Sequence, residues 1–230
     1  MERNAKKLFI VGTGTDVGKT YVTGLILKKL NEASLNPAYF KAAMSGNDKD
    51  ADGSLIPGDG KFVKDTSGIK QSLSSMCPYI YEVAVSPHLA SQIEGNPVDL
   101  EVVAKGFYDL ASDYDYITVE GSGGIICPIR HDDRKIMLED IIKELDLSCL
   151  LIADAGLGTI NSVVLTVEYL RSRNISVKGI IFNNYKEGDV MHENNLLMCE
   201  EMTGLKVLSK VKQNDKDLDI DINVLTNLYE

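Results

Sequence analysis

The sequence predicts an α/β protein with a mostly parallel, doubly wound sheet and helices on both faces. Apolar segments without polar alternation recur along the chain, and segments with helical apolar spacing separate them. The predicted strands are residues 8–11, 38–41, 116–119, 149–153 and 177–182, with a shorter one near Val207. Because no repeat, linker or low-complexity segment interrupts this order, we expect one domain spanning residues 1–230.

The connecting segments carry their own structural signals. A helix is expected over residues 20–31, and residues 138–145 keep the i, i+3, i+4, i+7 apolar spacing of a helix packed on one face. Ser86 followed by Pro87 predicts an N-cap and a first helical position. Residues 44–60 are polar and rich in glycine and aspartate, so they are interpreted as a long loop, and loops of that length are usually functional or disordered.

Residues 12–20, Gly-Thr-Gly-Thr-Asp-Val-Gly-Lys-Thr, form a glycine-rich turn between the first strand and the first helix. Small residues let backbone N–H groups surround an anion, and the helix N-terminus adds partial positive charge. Lys19 can reach the terminal phosphates of a nucleotide, and the Thr20 hydroxyl can bind Mg²⁺. Five residues rather than four separate Gly12 from Gly18, so the loop is longer than the usual pattern. The segment predicts a nucleoside triphosphate site in a fold of the P-loop NTPase type.

Other charged residues follow the predicted strands, at the sheet edge where ligands of parallel sheets bind. Glu120 could hold Mg²⁺ opposite Thr20, although a strand-terminal acid can also simply meet solvent. Lys41 could stabilise charge on a transferred phosphoryl group, although a lysine at a strand end is usually a surface charge. Asp59 lies with other aspartates in or at the edge of the long loop, and only one of these acids is expected to be a ligand.

Two further features have more than one interpretation. Residues 156–161, Gly-Leu-Gly-Thr-Ile-Asn, open a predicted helix whose free N–H groups could bind a carboxylate, or which needs glycines for close packing. His88 and His131 could suggest hydrolase chemistry with a serine. The sequence around Ser122 lacks the Gly-x-Ser-x-Gly pattern of a nucleophile elbow, so the hydrolase interpretation is not favoured.

Composition excludes several classes of partner. The net charge of −10 argues against nucleic acid, since its binders need a basic surface. The four cysteines are widely spaced without a CxxC pair, which favours reduced thiols in a cytoplasmic protein. The N-terminal residues lead directly into the first strand, so no signal peptide is expected. No apolar stretch approaches the ~20 residues that span a membrane, and no membrane partner is expected.

The chain resembles the dethiobiotin synthetase family, and the resemblance depends on several motifs in a fixed order. The motifs are residues 12–20, Lys41 followed by Ser45-Gly46, Cys77-Pro78-Tyr79, Ser86-Pro87-His88, residues 119–124 with Pro128, residues 157–161, and Asn183. They extend over residues 8–184, about four-fifths of the chain. Each motif is only moderately specific, but their joint order is specific for the family.

The resemblance implies an ATP-dependent reaction of 7,8-diaminopelargonate with CO₂ that yields dethiobiotin. In that family a substrate amine forms a carbamate, which attacks the γ-phosphate and gives a carbamic–phosphoric anhydride. The second amine then closes a ureido ring and releases phosphate. The resemblance further implies Mg²⁺ as cofactor, ATP as co-substrate, and a homodimer with shared active sites.

The resemblance also implies roles for individual residues. The catalytic residues would be Lys41, Lys19 and Thr15, and the Mg²⁺ ligands would be Thr20, Asp59 and Glu120. The ATP-binding residues would be Asp16, Val17, Gly18, Lys19, Thr20, Tyr21, Asp59, Glu120, Gly121, Ser122, Gly123, Asn183 and Asn184, with Asn183 reading adenine. The substrate-binding residues would be Thr15, Lys41, Ser45, Gly158, Thr159 and Asn161, the last three from the neighbouring subunit.

Departures from the family pattern and rival functions also follow from the sequence. Asp16 replaces a glutamate common in the family, and residues 207–212 lack the Gly-x-x-Pro turn that borders the base in many members. A regulatory or partitioning-type P-loop ATPase is the main alternative, but it often carries a lysine where Gly14 lies. The acidic segment 215–221 also differs from the basic amphipathic helix of its membrane forms.

An amidotransferase-type synthetase would need a glutaminase domain, for which no residues are expected to remain.

Overall fold

The computed structural model describes residues 5–230. Its strands are β1 (Lys6–Gly12), β2 (Pro37–Phe40), β3 (Ala43–Met44), β4 (Tyr79–Ile80), β5 (Tyr116–Gly124), β6 (Pro128–His131), β7 (Lys135–Met137), β8 (Cys149–Asp154), β9 (Val177–Asn183) and β10 (Val207–Lys210). Six of them form the central sheet in the spatial order β10-β9-β8-β1-β5-β2, and every pairing in it is parallel. The predicted doubly wound α/β class of P-loop type is confirmed.

Helices connect these strands. They are α1 (Lys19–Glu32), α2 (Gly58–Ser67), α3 (Pro87–Ile93), α4 (Leu100–Ala111), α5 (Leu138–Glu144), α6 (Thr159–Ser172), α7 (Val190–Thr203) and α8 (Ile222–Thr226). Two small sheets lie beside the main one, a parallel pair of β3 with β4 and an antiparallel hairpin of β6 with β7. Among the helices of residues 5–230, none combines the length and the apolar character needed to cross a bilayer.

The hydrophobic core has a large cluster on each face of the main sheet. Along β1, Phe9 and Val11 belong to one cluster, whereas Leu8 and Ile10 belong to the other. This alternation is expected where side chains of one strand point to opposite faces and both faces are covered by helices. Residues of α4, α5 and α6 pack on the first face, and residues of α1 pack on the second.

Most sequence-based boundaries agree with the structure, and one interpretation was wrong. The long loop predicted for residues 44–60 ends at Pro57, because α2 begins at Gly58. Only Gly60, Val63 and Ser67 of α2 are buried, so the helix shows too sparse an apolar face to be recognised. The predicted cap at Ser86 and Pro87 is confirmed as the start of α3. The expectation that the N-terminal residues lead directly into the first strand concerns residues 1–4, which lie outside the described residues.

Candidate active site

The glycine-rich loop between β1 and α1 leaves the start of α1 free to meet an anion. Gly18 is the N-cap, with φ of 88° in the left-handed region, and no side chain caps the helix. The first N–H groups of a helix have no partner within it, so these donors are available to phosphate oxygens. A Cβ at Gly18 would lie 2.0 Å from Nδ2 of Asn183, so only glycine fits against the end of β9.

Lys19 is folded back over this loop and is largely buried. Its Nζ donates to the carbonyl oxygen of Gly14 at 2.8 Å, and the residue is 7% exposed. Burial, with a smaller contribution from the nearby Lys41 ammonium, lowers the pKa of Lys19. An ammonium without a carboxylate partner of its own, lying over an anion-binding loop, is suited to bind a phosphate group.

Lys41 lies between the carboxylates of Asp59 and Glu120. Its Nζ is 2.6 Å from Oδ2 of Asp59 and 2.8 Å from Oε1 of Glu120. Burial acts to lower the pKa of Lys41, but the two carboxylates outweigh burial and raise it above the ordinary lysine value. The side chain therefore stays an ammonium across the neutral range.

The Glu120 carboxylate is the centre of the site. Its side chain is fully buried, and besides Lys41 its Oε1 accepts from the Thr20 hydroxyl at 2.8 Å. The other oxygen, Oε2, accepts from the hydroxyl of Tyr39 at 3.2 Å. Burial, followed by the charge of Glu120, raises the pKa of Tyr39 well above its usual value. The carboxylate is thus held by three donors from α1, β2 and the residue that follows β2.

Sheet register explains why these side chains meet. Phe40 pairs with Val119, so the next residues, Lys41 and Glu120, leave β2 and continue β5 side by side. Asp59 comes from the first turn of α2, where an acidic side chain complements the positive end of the helix dipole. The carboxyl ends of neighbouring parallel strands meet at one edge, and the site lies at that edge.

A cleft of about 510 Å³ opens over this cluster. Its walls are formed by Thr15, Asp16, Gly18, Lys19, Thr20, Tyr21, Lys41, Ser45, Asp59, Glu120 and Gly123. All eleven were singled out from the sequence, and the structure brings residues of the phosphate loop together with residues of later segments of the chain. Val17, Gly121, Ser122, Asn183, Asn184, Gly158, Thr159 and Asn161 are not part of these walls.

Asn183 lies behind the phosphate loop rather than in the cleft wall. Its Nδ2 donates to the carbonyl oxygen of Val17 at 3.1 Å, while its buried Oδ1 has no hydrogen-bond partner in the described part of the chain. Asn184 donates instead to Oδ2 of Asp154 at 2.7 Å. An unpartnered buried acceptor costs free energy unless a ligand satisfies it. Oδ1 of Asn183 is such an acceptor within the described residues.

Gly121 and Ser122 have structural contacts outside the cleft. A Cβ at Gly121 would come within 2.9 Å of the Phe9 ring, so glycine is needed for close packing under β5. The Ser122 hydroxyl donates to the carbonyl oxygen of Ala43 at 3.2 Å and joins β5 to β3. Of the predicted Gly-Ser-Gly run, Gly123 alone reaches the cleft.

The start of α6, like that of α1, has a left-handed glycine at its N-cap and no side-chain cap. Gly158 is its N-cap with φ of 89°. The hydroxyl of Thr159 is buried and lacks a hydrogen-bond partner among residues 5–230. Leu157, immediately before, is 93% exposed. The start of α6 resembles the start of α1 in its backbone. Its residues are not part of the walls of the cleft at α1.

The oxygen ligands present fit Mg²⁺ better than a softer metal. Thr20, Asp59 and Glu120 supply a hydroxyl and two carboxylates around the Lys41 ammonium. Within the described residues, no group of three or more His, Cys, Asp or Glu side chains is arranged to hold a metal by itself. Mg²⁺ usually keeps waters and takes few carboxylates together with substrate phosphates. A nucleotide would have to complete the coordination here.

Two residues of this site were not predicted from the sequence. Tyr39 resembles any buried strand aromatic, and its contact with Glu120 joins residues 81 positions apart. Gln71 is fully buried, and its side-chain amide hydrogen-bonds to both the N–H and the carbonyl oxygen of Tyr39. Gln71 lies in the short segment that follows α2, and nothing in the sequence there predicts its two hydrogen bonds to Tyr39.

The fold and the phosphate loop define an α/β nucleotide-binding protein of the P-loop class. The MinC:MinD cell division complex of Aquifex aeolicus aligns with a TM-score of 0.58 and 14% identity, covering 97% of this chain and 86% of that one. A ParA family ATPase from Chlorobium tepidum aligns with a TM-score of 0.52 and 16% identity, over 91% and 85%. At such identities the likeness shows the fold alone, so it does not favour the partitioning-type alternative.

Sequence comparisons give the family. A family model described as an AAA domain matches residues 6–218. The ATP-dependent dethiobiotin synthetase of Brachyspira hyodysenteriae is 49% identical over 227 residues, which cover 98% of this chain and 100% of the relative. The corresponding protein of Clostridium novyi is 48% identical over 217 residues, covering 93% and 91%. The chain belongs to the dethiobiotin synthetase family, and the resemblance predicted from its motifs is confirmed.

Proposed function

We propose that this protein is an ATP-dependent dethiobiotin synthetase, acting as one domain on 7,8-diaminopelargonate, CO₂ and MgATP. The observation that carries the proposal is the convergence of Lys19, Lys41 and Glu120 at one cleft beside the phosphate loop. Membership of the family, at 49% identity over nearly the whole chain, supports the same reaction. The reaction is a ligation that forms C–N bonds at the expense of ATP.

The chemistry proceeds by two bond exchanges. A carbamate oxygen of the carboxylated diamine attacks the γ-phosphorus, and the bond to the β-phosphate oxygen breaks to release ADP. The second amine then attacks the carbamoyl carbon, loses its proton, and expels inorganic phosphate as the ureido ring closes. Phosphoryl transfer needs positioning and charge stabilisation more than a strong base. Lys19 and Lys41 supply these positive charges, and Thr15 and Ser45 line the cleft beside them.

The proposed metal ligands are Thr20, Asp59 and Glu120. These residues would hold Mg²⁺, which would supply positive charge to the phosphates of the nucleotide. The Lys41 ammonium pairs with both carboxylates but balances only one of their two negative charges. Lys41 lines the cleft, where its ammonium would meet the carbamate and the γ-phosphate.

The nucleotide would extend from the cleft toward the end of β9. In the proposed complex, backbone groups of residues 16–21 and of Gly123 bind the phosphates, while Gly121 and Ser122 contribute to ATP binding by holding this part of β5 in place. The free Oδ1 of Asn183 accepts a hydrogen bond from the exocyclic amine of adenine. This assignment is supported by the missing partner of that buried oxygen. Asn184, next to it, is the other proposed contact.

The carboxylate of the substrate would be bound by the start of α6 from a second copy of the chain. Gly158, Thr159 and Asn161 supply a helix N-terminus, and the unpartnered Thr159 hydroxyl supplies a further donor. These residues do not line their own chain's cleft, and the neighbouring Leu157 is almost fully exposed. Both observations support a homodimer in which each active site uses residues of two subunits.

The proposed location is the cytoplasm. All four cysteines, Cys77, Cys127, Cys149 and Cys199, are buried and free in the structure. Burial raises the pKa of Cys199 to about 11, so this thiol stays protonated at neutral pH. Unreactive buried thiols suit a reducing compartment. Small molecules are the proposed partners, and neither nucleic acid nor a membrane is among them.

A product assay tests the proposed function. The protein is incubated with 7,8-diaminopelargonate, ¹³C-bicarbonate and MgATP, and the products are analysed by mass spectrometry. We expect dethiobiotin carrying one ¹³C at its ureido carbon, with ADP and phosphate formed in equal amounts. Omission of the diamine is the control. ATP consumption that the diamine and bicarbonate do not stimulate would contradict the proposal.

A further inference from the structure

The buried Tyr39 hydroxyl occupies one oxygen of the Glu120 carboxylate. Glu120 Oε1 carries the contacts that face the cleft, from Thr20 and Lys41. Oε2 is turned to the interior and accepts from the hydroxyl of Tyr39, whose side chain is fully buried. Each oxygen of the carboxylate thus has separate partners, and the carboxylate plane is fixed.

The ring of Tyr39 is itself held in place through its backbone. β2 lies at the edge of the main sheet and pairs with β5 on one side only. On the other side, Oε1 of Gln71 accepts from the Tyr39 N–H at 2.8 Å, and Nε2 of Gln71 donates to the Tyr39 carbonyl at 2.9 Å. The Gln71 side chain, which is fully buried, replaces a neighbouring strand at this position.

We propose that Tyr39 is a positioning residue for the metal site, and that Gln71 keeps Tyr39 in position. The Tyr39 hydroxyl holds Oε2 of Glu120 in the interior, so that Oε1 is presented to the cleft beside the Thr20 hydroxyl. This inference rests on the proposed function in taking Thr20 and Glu120 as ligands of a divalent cation. Partners that orient metal-binding carboxylates typically change metal affinity or activity by about 10- to 100-fold when removed.

The chain offers a matched control for removal of this hydroxyl. Tyr229 is also buried, and its hydroxyl lies 2.7 Å from the Thr118 hydroxyl of β5, two residues before Glu120. The substitution Tyr229→Phe removes a buried tyrosine hydroxyl that contacts β5, the strand of Glu120, without touching the Glu120 carboxylate. Tyr229→Phe therefore reproduces the loss of a buried tyrosine hydroxyl, although it leaves a neutral hydroxyl unpaired rather than a carboxylate oxygen and should cost less stability than Tyr39→Phe.

The test measures Mn²⁺ binding by electron paramagnetic resonance in the presence of saturating ADP, without the diamine. We expect Tyr39→Phe to weaken Mn²⁺ binding by about tenfold, and Tyr229→Phe to leave it within about twofold of the wild type. In the product assay, Tyr39→Phe should raise the Mg²⁺ concentration for half-maximal rate by a similar factor, with kcat at saturating Mg²⁺ nearly unchanged.

Equal Mn²⁺ affinity for Tyr39→Phe and Tyr229→Phe would overturn the inference. Gln71→Met provides a second variant should Tyr39→Phe fail to fold, and it should weaken Mn²⁺ binding in the same direction. Wild-type Mn²⁺ affinity in folded Gln71→Met would also count against the proposed arrangement. Because this binding assay needs no diamine, absence of dethiobiotin from the wild type would refute the proposed function alone.

Discussion

The starts of α1 and α6 have nearly the same backbone. Each helix follows a strand of the main sheet, β1 or β8, and these two strands are neighbours. Each has a glycine N-cap in the left-handed region, Gly18 with φ of 88° and Gly158 with φ of 89°. Neither helix has a capping side chain, so both present free N–H groups at the same edge of the sheet.

Their surroundings differ. Around the start of α1, Lys19, Lys41 and Glu120 come together in a buried cluster at the cleft. At the start of α6, Leu157 is 93% exposed. A helix N-terminus therefore makes a site for a highly charged ligand only where other elements bring side-chain charges to it. The start of α1 has these charges within one chain, whereas in the proposed homodimer the start of α6 would meet them in the cleft of a second copy.

Loss of the Lys19 ammonium should have the largest effect and should affect the α1 end alone. Lys19→Ala removes an ammonium that lies over the phosphate loop and has no carboxylate partner of its own among residues 5–230, so we expect no measurable MgATP binding by titration calorimetry. Asn161→Ala, at the α6 end, should leave MgATP affinity within about twofold. Tight MgATP binding by Lys19→Ala would remove the phosphate site from this loop.

Loss of the Lys41 ammonium should slow the reaction more than it weakens binding. Lys41→Ala removes a charge that stabilises the transferred phosphoryl group, and we expect kcat to fall by at least ~10²-fold in steady-state dethiobiotin formation. Lys105→Ala is the control, because Lys105 pairs only with Asp109 on an exposed face of α4. Near-normal turnover of Lys41→Ala would contradict the role given to Lys41.

Subunit mixing tests whether the α6 end serves the cleft of another copy. Asn161→Ala should raise KM for the diamine by about tenfold, the effect of losing one hydrogen bond to a charged group. Mixed with Lys41→Ala under conditions that allow exchange, it should regain activity. Random assortment of equal amounts makes about half of the dimers heterodimers. Each heterodimer has one intact site, so about a quarter of all sites are intact. No recovery after demonstrated subunit exchange would contradict shared active sites.

The sequence predicted those parts of the molecule whose determinants are local. The phosphate loop is continuous in sequence, and the strands and most helices show the apolar spacing of the faces they bury. Lys41 and Glu120 could be predicted as neighbours because both follow strands of a parallel sheet, and the register of Phe40 with Val119 places them side by side.

Contacts between distant segments gave no such signal. α2 buries only three residues, so its pattern resembled a polar loop and Asp59 was placed at a loop edge rather than in a helix. β5 continues to Gly124 because Gly124 pairs with Gly12, a contact that glycine-rich sequence does not predict. The Tyr39–Glu120 and Gln71–Tyr39 contacts likewise depend on chain segments brought together only by folding.

The smallest expected effect compares the two N-cap glycines directly. Alanine at either position would be strained in the left-handed region, which destabilises the folded state by about 1–2 kcal/mol. At Gly158 the new Cβ meets nothing within 4 Å, so Gly158→Ala should lower the free energy of unfolding by that strain alone. At Gly18 the Cβ would lie 2.0 Å from Asn183 Nδ2, which donates to the carbonyl of Val17. Gly18→Ala should therefore cost about 1 kcal/mol more, the net value of one hydrogen bond.

Urea unfolding of the two variants beside the wild type measures this difference, with the slope m checked for constancy. Gly158→Ala should keep its MgATP affinity, whereas Gly18→Ala should also bind MgATP more weakly because the phosphate loop has moved. Equal losses of unfolding free energy would mean that Asn183 moves away from Gly18 without cost. In that case the contact between the end of β9 and the phosphate loop would not distinguish the α1 end from the α6 end.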